Sequence, residues 1–194
     1  MIRTLVALFV AVILAAGCSD GTLEVDDVDV RVSYPEGWTE VPTDIVKSQI
    51  ERQLESATGE VRTAFELVIQ EIDSGAIRAV AFSPTTSDGF TETLFVTIEE
   101  GDADLDAAAE RRIARITLLT GTLQVDVTDM GLPIGLARRM EVFSEPQGGS
   151  PSHLIEYIVR LGDGRTFTLS GTGPTSDQTF SETMRVIAES LEAT

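Results

Sequence analysis

His153-Leu154-Ile155-Glu156-Tyr157-Ile158-Val159-Arg160-Leu161, then Gly162-Asp163-Gly164, then Arg165-Thr166-Phe167-Thr168-Leu169-Ser170, is the stretch that decides the fold. Two β-rich runs flank an Asp-Gly turn, a strong short-range hairpin signal. The reading is a strand over Leu154–Leu161, a turn at 162–164 and a return strand over Arg165–Ser170. Strands joined by so tight a turn are antiparallel, so the sheet around them is expected to be mainly antiparallel.

Downstream, Gly171–Asp177 reads as a loop and 178–191 as the final helix, with Phe180, Met184, Ile187, Ala188 and Leu191 on one face. Upstream, Glu145–Ser152 is a Pro/Gly-rich exit loop, Ala137–Phe143 a strand, Met130–Gly135 a turn or bend and Leu123–Val127 a strand. Asp104 is placed to cap a helix through Leu119, with Leu105, Ala109, Ile113 and Ile116 inward. Leu94–Ile98 and Ala76–Phe82 read as strands, with Ser83–Gly89 as a loop. Two helices are expected at 44–58, capped by Asp44, and at 60–73. Val28, Val30, Val32 and Tyr34 alternate with Asp29, Arg31 and Ser33, the mark of a half-buried strand. Helices before, between and after antiparallel strands make an α+β fold, a sheet with helices packed on its faces.

The amino terminus carries a different message. Arg3 is followed by an unbroken apolar run from Leu5 to Ala16, then Gly17 and Cys18. This is a secretory signal, too short for the roughly 20 apolar residues that span a bilayer. No later segment is long and apolar enough to span one. Leu14-Ala15-Ala16-Gly17-Cys18 resembles the bacterial lipobox. That resemblance implies cleavage between Gly17 and Cys18 and a diacylglycerol on the Cys18 sulfur. Cys18 is the only cysteine, so no disulfide can form within the chain. The expected organisation is a signal peptide at 1–17, a lipidated flexible tether at 18–27 and one globular domain at 28–194. The expected location is the cell membrane, with the domain outside the cytoplasm.

The formal charge of the chain is −18. Arg3 is the only charged residue before Cys18, so the remainder sums to −19. Nucleic-acid binding is disfavoured, because it needs basic patches to meet phosphates. Electrostatic docking on anionic headgroups is disfavoured for the same reason.

Three tracts resemble a known group. Val32-Ser33-Tyr34-Pro35-Glu36-Gly37-Trp38 resembles the opening strand and proline–glycine–tryptophan turn of the PsbP-like α/β/α sandwich proteins. His153–Ser170 resembles their late hairpin, and Thr179–Leu191 their closing helix. With the lipobox in front, the chain resembles the LpqN-type lipoproteins of actinobacteria. The resemblance implies a binding or assembly module rather than an enzyme. It transfers no functional residue, because the matching positions are packing and turn positions.

Individual residues add little chemistry. His153 is the only histidine, and it reads as a surface or strand-edge residue, since no catalytic motif surrounds it. His153-Leu154-Ile155-Glu156 is not a zinc motif, because no second histidine or thiol completes a tetrahedral site. Asp102, Asp104 and Asp106 alternate like the start of a calcium loop. Ala107 and Ile113 stand where that loop needs glycine and glutamate, so a solvated turn with a helix cap is expected, with weak calcium binding as the alternative. Asp26, Asp27 and Asp29 read the same way. Gly171-Thr172-Gly173-Pro174 lacks a lysine and reads as a turn rather than a phosphate loop. Tyr34 and Trp38 are expected in the core rather than in a ligand groove.

These observations favour a membrane-anchored, non-catalytic binding or assembly module of the cell envelope, with no cofactor and no metal. Its partner would be an envelope protein. The alternative is a carrier of a lipid or other apolar ligand, and the third reading is a hydrolase using paired acids.

Overall fold

The computed structural model describes residues 21–85, 90–101, 104–120, 125–144, 151–175, 177 and 179–193. Gly17, Cys18 and the signal segment lie outside them.

Seven strands form an antiparallel sheet: β3 (Thr39–Glu40), β4 (Ile77–Phe82), β5 (Thr93–Glu99), β6 (Val125–Leu132), β7 (Gly135–Ser144), β8 (Ser152–Arg160) and β9 (Thr166–Pro174). Their spatial order is β3-β4-β5-β9-β8-β7-β6. The late hairpin is therefore its centre, with Arg160 opposite Thr166 and Tyr157 opposite Leu169. Gly164 supplies the positive φ of 92° that the connecting turn requires.

One face of the sheet carries three helices, α1 (Thr43–Leu54), α2 (Gly59–Asp73) and α3 (Leu105–Thr120). Val46 and Ile50 of α1 and Phe65 of α2 pack on Val80 and Phe82 of β4. Ala108, Ala109 and Ile116 of α3 pack on Met140, Val142 and Ile158. Asp104 caps α3 as expected, accepting from the Ala107 N–H at 2.7 Å. Asp44 does not cap α1; it lies inside the first turn, behind Pro42, where it complements the helix dipole.

The other face carries a small sheet of β1 (Thr22–Val25), β2 (Val30–Ser33) and β10 (Glu192–Ala193), together with α4 (Phe180–Glu189). These bury Leu23, Val32, Phe180, Met184 and Ile187 against Leu94, Tyr157, Phe167 and Leu169. Tyr34 and Trp38 belong to this core, as expected. The result is a sandwich: helices, a large sheet, and a layer that is part sheet and part helix.

Further expectations are corrected. The tether does not extend to residue 27, because Thr22–Val25 is a strand with Leu23 and Val25 buried. Asp and Gly around it disguise a four-residue strand that exists only because β2 pairs with it. The strand expected from Val28 begins at Val30, since Asp26–Val28 is a 3-10 turn closed by Asp29 at φ 51°. Met130–Leu132 is strand rather than bend, opposite Ala137–Gly135. Gly171–Pro174 is also strand, not loop, continuing β9 beside Thr93 and Ser152.

Candidate functional site

Among the described residues, two clusters of charged side chains enter the fold, one on each face of the large sheet. On the helical face a polar seam separates the α1–α2 cluster from the α3 cluster. Period-2 alternation puts Phe95, Ser170, Glu156 and Met140 on this face in adjacent strands. Glu156 is only 2% exposed. Arg112 of α3 meets it with two donors, Nε at 3.0 Å and Nη2. The Ser170 hydroxyl donates to the same carboxylate at 2.9 Å. Glu99 lies 3.7 Å and Glu71 3.9 Å from the other Arg112 nitrogen, and Glu71 also pairs with Arg115. Burial pulls the Arg112 guanidinium down, but Glu156, Glu71 and Glu99 more than offset it and hold it above its ordinary value. Above the seam is a cleft of about 350 Å³ lined by Glu71, Ala76, Glu99, Arg111, Arg112 and Arg115. The side chains beneath it are committed to one another, so the seam reads as a clamp between α3, α2 and the sheet.

On the opposite face, β6 and β7 extend beyond the cover of α4. Arg139, Glu141 and Phe143 of β7 and His153 of β8 form a cluster at this margin. His153 is not at the surface, as its sequence context suggests, but 5% exposed. Its ring stacks on Phe143 with centroids 4.3 Å apart and meets Phe180 of α4 edge-on at 5.4 Å. Its Nε2 lies 2.6 Å from Glu141 Oε1. Glu141 also accepts from Arg139 at 2.7 Å, and Arg139 reaches the Ser181 hydroxyl of α4 at 3.0 Å. Burial pushes the Glu141 carboxyl up, but Arg139 and His153 together bring it below its ordinary value. The buried Tyr157 hydroxyl has no well-formed hydrogen bond, and burial raises its pKa although Arg139 lies close. Phe143 itself remains 51% exposed near the end of β7. No hydroxyl nucleophile is hydrogen-bonded to His153 among the described residues, so the His–Glu pair has nothing to activate there.

A third feature is Glu92, buried at the start of β5. Burial, reinforced by the charge of Asp177, pushes its carboxyl up to about 7. This is the pattern of an acid–base pair, but the charged cleft does not include it. Asp177 is engaged in ordering the approach to α4, accepting from the Thr179 N–H at 2.7 Å and its hydroxyl at 2.6 Å.

The other residues singled out in the sequence are dispersed. Asp106 pairs with Arg138 of β7, and Asp102 lies outside the described residues. Asp27 pairs with Arg78 and Arg165. Among the described residues no three metal-ligating side chains cluster. The sequence reading missed the Arg112–Glu156 clamp and the Arg139–Glu141–His153 cluster. The signal that could have revealed the first is Glu156 itself, a carboxylate in an otherwise apolar central strand.

The fold is shared with solved structures at low identity. Cyanobacterial PsbP (CyanoP) from Synechocystis is 12% identical with a TM-score of 0.56, covering 93% of this chain and 99% of that one. The Ran-binding protein Mog1p of Saccharomyces cerevisiae is 11% identical with a TM-score of 0.54, covering 91% and 96%. LpqN of Mycobacterium tuberculosis, involved in cell envelope biogenesis, is 11% identical with a TM-score of 0.52, covering 88% and 87%. No protein-family model and no characterised protein sequence matches the chain. The protein therefore has the PsbP-like sandwich fold. Likeness at this identity defines the architecture and leaves the activity to the site.

Proposed function

We propose that the protein is a lipoprotein anchored through Cys18, whose domain acts outside the cytoplasm as a non-catalytic binding or assembly module of the cell envelope. The observation that carries the binding role is Phe143. A large aromatic held half out of the core by a stacked, hydrogen-bonded histidine is preorganised contact area, as at the centre of protein interfaces. The lipobox supports the anchor, and the envelope role of LpqN supports the setting.

The test is photocrosslinking in intact cells, with a photoreactive phenylalanine analogue at position 143 and, as control, at exposed Val186 on the far side of α4. A discrete protein adduct from position 143 alone is the expected result. Equal or absent crosslinking at both positions would refute the docking role of Phe143.

A further inference from the structure

We propose that the domain stands on the membrane in one orientation, with the end of the large sheet where β4 ends and β9 ends facing the lipid headgroups. This rests on the lipid anchor at Cys18. The chain is tied to the fold from Gly21 onward: its carbonyl accepts from the Tyr34 N–H at 2.7 Å, and Thr22 pairs with Ser33. Only three peptide units separate Gly21 from Cys18, a reach of at most about 10 Å.

The position of β1 determines which end is held down. At its far end, Asp27 bonds Arg78 at the start of β4 and Arg165 at the start of β9. Its near end, with Tyr34–Trp38, lies at the finish of β4: a Cβ on Gly37 would approach Pro84 to 3.3 Å, and Thr39 pairs with Phe82. β9 runs the length of the sheet, nine residues or roughly 30 Å. The turn at Gly162–Gly164 therefore points away from the bilayer, and Phe143 and His153 lie towards it, at the finish of β7 and the start of β8.

Charge does not set this orientation. The described residues of 34–38, 83–92 and 175–179 include Glu36, Glu92 and Asp177 but no lysine or arginine. The short leash does. The partner at Phe143 is then one whose docking segment lies near the membrane surface.

The test uses the full-length lipidated protein in phosphatidylcholine vesicles containing a headgroup-attached quencher. With Cys18 acylated, Glu36→Cys or Gly162→Cys supplies the one thiol for a fluorophore; both positions are exposed, and Gly162 has open space for a side chain. Quenching several-fold stronger at position 36 than at 162 is expected. Inserting about 15 glycine and serine residues between Ser19 and Asp20, with an r.m.s. span of roughly 20 Å, should abolish the difference. Vesicle-bound protein with equal or reversed quenching overturns the orientation while leaving the anchor intact. Unmodified protein that fails to float with vesicles and takes a thiol dye at Cys18 overturns the anchor and the orientation together.

Discussion

At the scale of single residues, the helical face of the sheet depends on Glu156. Arg112 is charged and nearly buried, and Glu156 is the carboxylate that meets it with two hydrogen bonds. Removing Glu156 takes away the carboxylate that Arg112 meets with two hydrogen bonds and leaves it Glu99 at 3.7 Å and Glu71 at 3.9 Å, so Glu156→Ala is expected to destabilise the domain by about 3 kcal/mol. Replacing both residues with leucine should cost less than the single change, because no buried charge is left behind; urea denaturation of the three proteins checks the order. Glu92 acts in the opposite sense. Its folded value of about 7 lies above the ordinary 4.5, so the folded state holds the extra proton between those values. Its contribution to stability is fully present below pH 4.5 and is lost as pH rises through about 7. Relative to Glu92→Gln, the native protein should lose on the order of 2 kcal/mol across that window, after allowance for residual hydration. Parallel denaturation curves of the two proteins at all pH values would contradict this.

At the scale of elements, α4 is seated by two glycines. A Cβ at Gly173 would clash with the Phe180 ring, and one at Gly171 would clash with the Met184 sulfur. Bare backbone at these two positions lets the helix lie directly on β9. Gly173→Ala forces the ring or the helix away and should lower stability by about 1–3 kcal/mol. Because His153 touches Phe180 and Arg139 touches Ser181, hydrogen exchange should speed up in α4 and at the start of β8, but not in α1. A single glycine–proline tract thus reads as a turn in sequence and acts as a helix seat in the fold. Alternation reports only which face a residue occupies, and cannot say that a helix will lie there.

At the scale of the whole molecule, the placement of β1 is decisive. Four residues that look like a polar leader pair with β2 and enter the core, so the leash to Cys18 shrinks from ten residues to three peptide units. A domain on a long leash samples every orientation, whereas one held within about 10 Å of a lipid anchor, as proposed for Cys18, would present one end downward. In the proposed orientation the Phe143 surface would work close to the bilayer, which would narrow the class of partner it could meet.

Local physics made much of this legible. Periodicity and turn chemistry by themselves determined the late hairpin, the four helices and the α+β class, because each depends on neighbours a few residues away; the burial of Tyr34 and Trp38 followed from the size of their side chains. The tertiary structure alone decided that Glu156 meets an arginine 44 positions earlier, that His153 is enclosed by Phe143 and Phe180, and that Thr22–Val25 is a strand. Ion pairs, ring stacks and edge pairings are formed by groups far apart in the chain. No spacing in one dimension encodes which of 32 acidic side chains a given arginine will meet.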